Sequence, residues 1–249
     1  MIISYNNKIL GRNNLIVGYD GGSPVSPFPS DMHFVYVAND YDGDKIPNLA
    51  TNSTLGSFNR YASGTLTKTG SGSNCYITNG NNRYNYLYVE MSAEDLDLMK
   101  ATSNTYTYYF RYVYNSSDTG GILCWRASSP SYGGGDGYVY MFRCSGANIQ
   151  FHTTSGTNTG LSLTSDTVYK ATVNGNSVNI VDLNDNTKSW TYSGGSFSRT
   201  MNRMMTTFWA GYSSEYAPNA QFYGVAGIAR ATTAEEDNQI KTFLMTQGV

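Results

Sequence analysis

The chain has 249 residues and a net charge of −2, with 14% charged residues and 14% aromatics, 22 of them tyrosines. Typical soluble domains carry about 25% charge, and a disordered chain pairs high charge with few aromatics, so disorder is excluded. No basic run is present, which argues against nucleic acid and anionic membrane as partners, since both need clustered Lys and Arg.

Residues 1–17 form a short arm with two apolar patches, Ile2-Ile3 and Leu15-Ile16-Val17. No basic segment followed by an apolar core marks a secretory signal there. No stretch approaches the roughly 20 apolar residues of a membrane span. Gly18 to Pro29 follows, rich in Gly, Ser and Pro, with three prolines in six positions. Such composition blocks regular structure and reads as a tether, so residues 1–31 are expected to be arm and tether and 32–249 the folded domain. The alternative makes the arm the first edge strand of that domain.

Beyond the tether, strands come at short intervals. His33–Val37 is one, and Tyr84–Met91 alternates Leu87, Val89 and Met91 against Tyr84, Tyr86 and Tyr88. Thr105–Tyr114 is the clearest: Tyr106, Tyr108, Phe110, Tyr112 and Tyr114 share one face, and Thr105, Thr107 and Arg111 the other. Ile122–Arg126, Tyr138–Cys144 and Asn148–Thr153 follow. Thr167–Val173 and Ser177–Leu183 flank Asn174-Gly175-Asn176, where Asn-Gly is a strong hairpin signal because both residues tolerate positive φ. Met204–Ala210 and Phe222–Ala229 complete the set. Two segments read as helices. Ser92–Lys100 has a Ser N-cap and acids in its first turn. The C-terminal segment has Thr233 three residues before Glu236, a capping box, with Ile240, Phe243 and Leu244 on one face. Many short strands with turns between them predict an all-β sandwich or barrel.

Cys75, Cys124 and Cys144 are an odd set with no metal-ligand spacing. Buried thiols are expected, with a single Cys124–Cys144 bridge as the alternative.

The order of these elements resembles the concanavalin A-like jelly rolls of the laminin-G type over residues 32–249. Tyr106–Val113 takes the place of that family's aromatic strand, followed by a strand pair about a glycine-rich turn, Gly121–Cys124 and Gly137–Phe142. The hairpin from Thr167 to Leu183 and the closing strand and helix from Tyr223 to Glu236 and beyond complete the likeness. The resemblance implies a two-sheet antiparallel jelly-roll β-sandwich with a short C-terminal helix. The family holds lectins, adhesion domains, glucanases and structural modules, so fold alone does not settle function.

The glucanases of this fold carry E-x-D-x-x-E on a strand, which sets nucleophile and acid on one face. Here Asp95-Leu96-Asp97-Leu98-Met99-Lys100 has Asp first and Lys last, within a helix, so the chain is expected not to be an enzyme. Asp40, Asp42 and Asp44 alternate like calcium ligands, although Lys45 and Thr51 stand where an EF-hand needs Gly and Glu. No cofactor is required; a structural calcium at these three is the one metal the resemblance allows, against a plain Asp/Gly turn. His33 and His152 stand far apart with no nucleophile pattern nearby and read as ordinary strand residues.

The remaining signal is aromatic. Sugars stack on Trp and Tyr rings while polar groups fix their hydroxyls. Trp125, Arg126, Tyr132, Asp136 and Tyr138 cluster around one glycine-rich loop as an expected ligand site. Trp190, Tyr192, Trp209, Tyr212 and Tyr216 form a second set. Against both stands a core or subunit-contact role for the tryptophans. The sequence therefore predicts a structural or adhesion module of a virion or extracellular surface, such as a phage decoration or fibre protein. Homo-oligomers, other surface proteins and a glycan are its expected partners. A secreted bacterial carbohydrate-binding or glycan-cleaving domain is the alternative.

Overall fold

The computed structural model describes residues 27–61, 65–80, 82, 85–101, 103–114, 119–126, 139–152, 156–193, 204–207 and 220–249, and the backbone of three short strands before them. Those three are β1 (Ile3–Tyr5), β2 (Lys8–Leu10) and β3 (Ile16–Gly18), an antiparallel sheet of their own. Among the described residues they pair only with one another.

In chain order the main elements begin with β4 (Met32–Val37), β5 (Lys45–Ile46), β6 (Phe58–Arg60), β7 (Thr67–Thr69), β8 (Tyr76–Thr78) and β9 (Leu87–Glu90). Then come α1 (Ala93–Met99), β10 (Thr105–Tyr114), β11 (Thr119–Arg126), β12 (Val139–Ser145), β13 (Asn148–His152) and β14 (Gly156–Ser162). Last are β15 (Val168–Asn174), β16 (Ser177–Asp182), β17 (Ser189–Ser193), β18 (Met204–Thr207), β19 (Ala220–Ile228) and α2 (Ala234–Thr246). They form two antiparallel eight-stranded sheets, the expected all-β sandwich. One runs β17-β16-β15-β10-β19-β8-β7, with β4 also on β19; the other runs β14-β13-β12-β11-β18-β9-β6-β5.

Alternation in β10 builds the core. Tyr106, Tyr108, Phe110, Tyr112 and Tyr114 all point between the sheets and are buried. Buried tyrosines need partners for their hydroxyls: Tyr108 donates to Met99 O at 3.0 Å and Tyr112 to Ile122 O at 3.1 Å. The opposite face of β10 carries Tyr109 and Arg111, and α2 covers it. Ile240, Phe243 and Leu244 pack there with Val35, Val37, Tyr109 and Ala226 in a second core. Both helices open with the expected caps. Thr233 and Glu236 bond reciprocally at α2, and Ser92 and Asp95 do so at α1.

One expectation changes, and the buried thiols are met. The hairpin turn is Gly175-Asn176, because Asn174 pairs with Ser177 in the ladder. Gly175 takes the positive φ of +58° that the first central position of such a two-residue loop requires. At the end of the expected tether, Phe28 packs edge-on against Phe243 at 5.0 Å, and both oxygens of Asp31 accept from Arg230. All three cysteines are buried thiols with no Cys124–Cys144 bridge; burial pushes the Cys144 thiol up to about 12, against a hydrogen bond to Gly120 O. Strands β5 to β8 escaped prediction because two or three residues are too few to show a period.

Candidate glycan-binding cleft

Of the residues first expected to bind ligand, only Trp125 is fully described. Trp125 is buried, 1% exposed, with its ring edge-on to Tyr108 at 5.6 Å. A ring in that position packs the core and offers no face to a sugar, which corrects its assignment. Arg126 pairs through its backbone with Met204; its side chain, and Tyr132, Asp136 and Tyr138 entirely, lie outside the described residues.

The three aspartates are separated by their turn. Asp40 sits half-buried in a single 3-10 turn, and burial raises its carboxyl. Asp42 Oδ1 accepts from the backbone N–H of Asp44 at 2.9 Å and Lys45 at 2.8 Å, and these bonds lower its pKa. Asp44 pairs with Arg60 at 2.6 Å. Among the described residues no group of three or more His, Cys, Asp or Glu could hold a metal ion. The bonds of Asp42 to the backbone and of Asp44 to Arg60 are those of a plain Asp/Gly turn, the alternative to the calcium expectation at Asp40, Asp42 and Asp44.

A cleft of ≈ 290 Å³ lies where β14, the end of the β15–β16 hairpin and the start of β17 come together. Its lining includes Ser162, Ser165, Tyr169, Thr187, Lys188 and Ser189, a wall of hydroxyls with one ring and one cation. Asp182 closes the floor, accepting from Thr167 Oγ1 at 2.6 Å and from the N–H of Asn184 at 2.8 Å. These bonds set the loop that presents Thr187 and Lys188. Asp185 steadies it further, accepting from Thr187 Oγ1 at 2.6 Å and facing Lys188 Nζ at 3.2 Å, and both interactions lower its pKa, the Thr187 bond most. The Lys188 side chain keeps 63% of its surface exposed, so its donors remain accessible.

Beside the cleft, on β17, Trp190 and Tyr192 stack with centroids 6.0 Å apart, and both rest on Phe151. Each is half-buried, so part of each ring stays at the surface. The sequence had named this pair; Trp209, Tyr212 and Tyr216, grouped with it, lie outside the described residues. The hydroxyl wall was missed. Its only local signal is the Asp/Asn-rich run Asp182-Leu183-Asn184-Asp185-Asn186-Thr187-Lys188, a sign of a loop held by its own side chains.

His33 is not an ordinary strand residue. Its Nε2 faces Asp95 Oδ1 at 3.0 Å and its Nδ1 faces the Tyr106 hydroxyl at 2.7 Å. Burial works against the Asp95 charge, yet hydrogen bonds from Thr54, His33 and Ser92 hold the carboxyl down at about 2. With Asp95 ionised, Nε2–H donates to it. The constellation has the form of a catalytic relay, but Tyr106 is 0% exposed, His33 7% and Asp95 2%. No substrate reaches it, and it locks α1 against β4 and β10.

No family model matches the chain, and no curated protein matches it in sequence. Solved structures match it in fold. Trypanosoma rangeli sialidase in complex with 2,3-difluorosialic acid is similar with a TM-score of 0.61 and 10% identity, over 91% of this chain and 34% of that one. The same sialidase with sialic acid gives 0.60 and 10%, over 93% and 35%. Domain 4 of AbnA, a GH43 extracellular arabinanase from Geobacillus stearothermophilus, in complex with arabinotriose, gives 0.54 and 12%, over 85% and 98%. This chain thus spans about a third of the sialidase chains and nearly all of the arabinanase domain. The shared feature is the β-sandwich fold. The expectation that the chain is not an enzyme is corrected by these likenesses. It rested on one missing glucanase motif, whereas the fold recurs in a sialidase and within an arabinanase.

Proposed function

We propose that this chain is a carbohydrate-binding β-sandwich module that takes an oligosaccharide at the cleft between β14 and the β16–β17 edge. The observation that carries the reading is the hydroxyl-lined cleft beside the stacked Trp190–Tyr192 pair. Sugars need that combination: a ring against their C–H face and short polar side chains around their hydroxyls. Lys188 adds an exposed donor at the mouth. The likeness to an arabinanase domain in complex with arabinotriose, over nearly the whole of that domain, supports a module that binds glycan. Such a module serves equally in a secreted glycan-active protein or on a virion surface. The first setting is preferred, because the likeness to an arabinanase domain supports it.

A glycan array followed by calorimetric titration with arabinotriose and with sialylated oligosaccharides tests the reading. Binding should appear in at least one class, and Lys188→Ala and Trp190→Ala should each weaken it about tenfold or more. No binding to any glycan, or binding that neither substitution changes, would sink the proposal. Product analysis in the same incubations reports whether a bound glycan is also cleaved.

A further inference from the structure

Sheet edges are templates for pairing with another strand, and proteins blunt them with short strands, lysine, bulges or covering segments. Among the described residues the two main sheets show such devices at every edge but one. Strand β5 has two residues, one of them Lys45. Strand β7 has three, centred on Lys68. Beside it β4 is covered, with Val35 N donating to the Asn48 side chain and Leu49 N to Val35 O. Strand β14 shifts register against β13, and Gly160 within it takes φ +73°. Strand β17 is different. Its five residues, Ser189-Trp190-Thr191-Tyr192-Ser193, hold no charge and no proline, and they pair with β16 in five consecutive steps without a shift.

The backbone directions on β17 follow from its ladder. Asp182 N donates to Lys188 O at 3.0 Å, one step beyond the Val181–Ser189 pair. Opposed residues in an antiparallel ladder alternate between bonded and non-bonded pairs. Trp190 and Tyr192 therefore turn their N–H and C=O towards β16. Ser189, Thr191 and Ser193 turn theirs outward, and among the described residues no strand pairs with them.

The residue order adds the choice of partner. Around Thr191 the strand reads Ser-aromatic-Thr-aromatic-Ser in both directions. We propose that two copies of this chain pair antiparallel through β17 across a twofold axis at Thr191. An isologous interface needs a self-complementary surface, and this strand supplies one. Thr191 meets Thr191 and Ser189 meets Ser193 through their outward backbone groups, three bonded pairs in all. Trp190 meets Tyr192 of the second copy on the inner face, where aromatic cross-strand pairs add stability. A lysine at the centre of an edge, as at Lys68 on β7, would place like charges opposite each other in such a pair; β17 has none. The interface shares Trp190 and Tyr192 with the glycan reading, but it is argued from the outward backbone of Ser189, Thr191 and Ser193.

Sedimentation velocity over a concentration series tests it. The full chain should sediment at twice 27.3 kDa. Thr191→Pro should reduce it to the single-chain mass, because the proline removes an outward N–H and leaves the β16 ladder whole; proline is tolerated on an edge in that orientation. Thr191→Cys is the second arm, independent of whether the proline variant folds. Bonded pairs lie about 5.5 Å apart between Cα atoms, within disulfide reach, so mild oxidation should double the chain mass on a non-reducing gel. The native cysteines are buried and give no background. A full chain that stays at 27.3 kDa throughout, a Thr191→Pro dimer, or a Thr191→Cys dimer that fails to cross-link would each overturn the proposal. Glycan titration of the Thr191→Pro monomer keeps failure of the two readings distinct.

Discussion

Arg111 and Asp166 meet side by side through two parallel hydrogen bonds, Nε to Oδ1 and Nη2 to Oδ2, both 2.7 Å long. The remaining guanidinium nitrogen donates to the carbonyls of Ser73, Leu244 and Met245, each at 3.0 Å. Helix ends leave carbonyls without partners, so one buried arginine on β10 closes the end of α2 and ties it to the sheet. Gln247 completes the lock. It adopts a left-handed φ of 53°, and its side chain bonds Asn39, Ser73 and Cys75.

Arg111→Met should therefore destabilise the domain by about 3 kcal/mol, since it leaves buried carbonyls and the Asp166 pair unmatched. Arg111→Lys should not restore the loss, because one ammonium cannot span the carboxylate and three carbonyls. Asp166 is 43% exposed, so Asp166→Ala should cost less. Urea unfolding of the three variants ranks these costs; an Arg111→Met midpoint equal to wild type would refute the lock.

Acid stability should carry the signature of Asp95. Its ordinary carboxyl value is 3.8 and its folded value about 2. A depressed carboxylate stabilises the fold fully above its ordinary value and loses that contribution as pH falls through the folded one. The loss belongs between about pH 4 and 2 and amounts to about 2 kcal/mol. Asp95→Asn should be less stable at pH 7 and should lack that slope. Thermal melts from pH 7 down to 2 measure both; an unchanged slope in the variant counts against the network.

Close packing makes Gly227 irreplaceable. A Cβ there would strike the Phe34 ring and approach the Tyr106 hydroxyl to 2.8 Å. Both neighbours are fully buried and have nowhere to move. Gly227→Ala should cost about 1–3 kcal/mol by overpacking and should disturb the Tyr106–His33 bond. A variant that melts with the wild type would show that the β4–β19 contact is looser than described.

The two tryptophans of known placement should separate stability from binding. Trp125→Ala removes a buried ring and should cost about 3–5 kcal/mol. Trp190→Ala removes a half-buried one and should fold nearly as well while binding glycan less. Equal melting losses in the two variants would undo the distinction.

Period-two alternation made β10 legible, because one face carries five aromatics in succession and the other does not. The capping boxes at Ser92 and Thr233 were legible too, since a cap is chemistry between residues three apart. Trp125 was not. Its strand is buried on both faces, from Ile122 to Trp125, so no alternation distinguishes a packed ring from a presented one. Asp40, Asp42 and Asp44 carried the spacing of calcium ligands, but the turn sends Asp42 to backbone N–H groups and Asp44 to Arg60.

The sequence alone thus determined the class of fold, the inward face of β10 and the two helix starts, all of which follow from interactions local in the chain. The tertiary structure decided the rest. It joined Ser162, Tyr169 and Lys188 into one cleft, set His33 between Asp95 and Tyr106, and placed the uncharged β17 at the end of its sheet among the described strands. Those relationships depend on which strands pair and how the ladder is registered. Pairing is fixed by burial across the whole sandwich, and no window of neighbouring residues contains it.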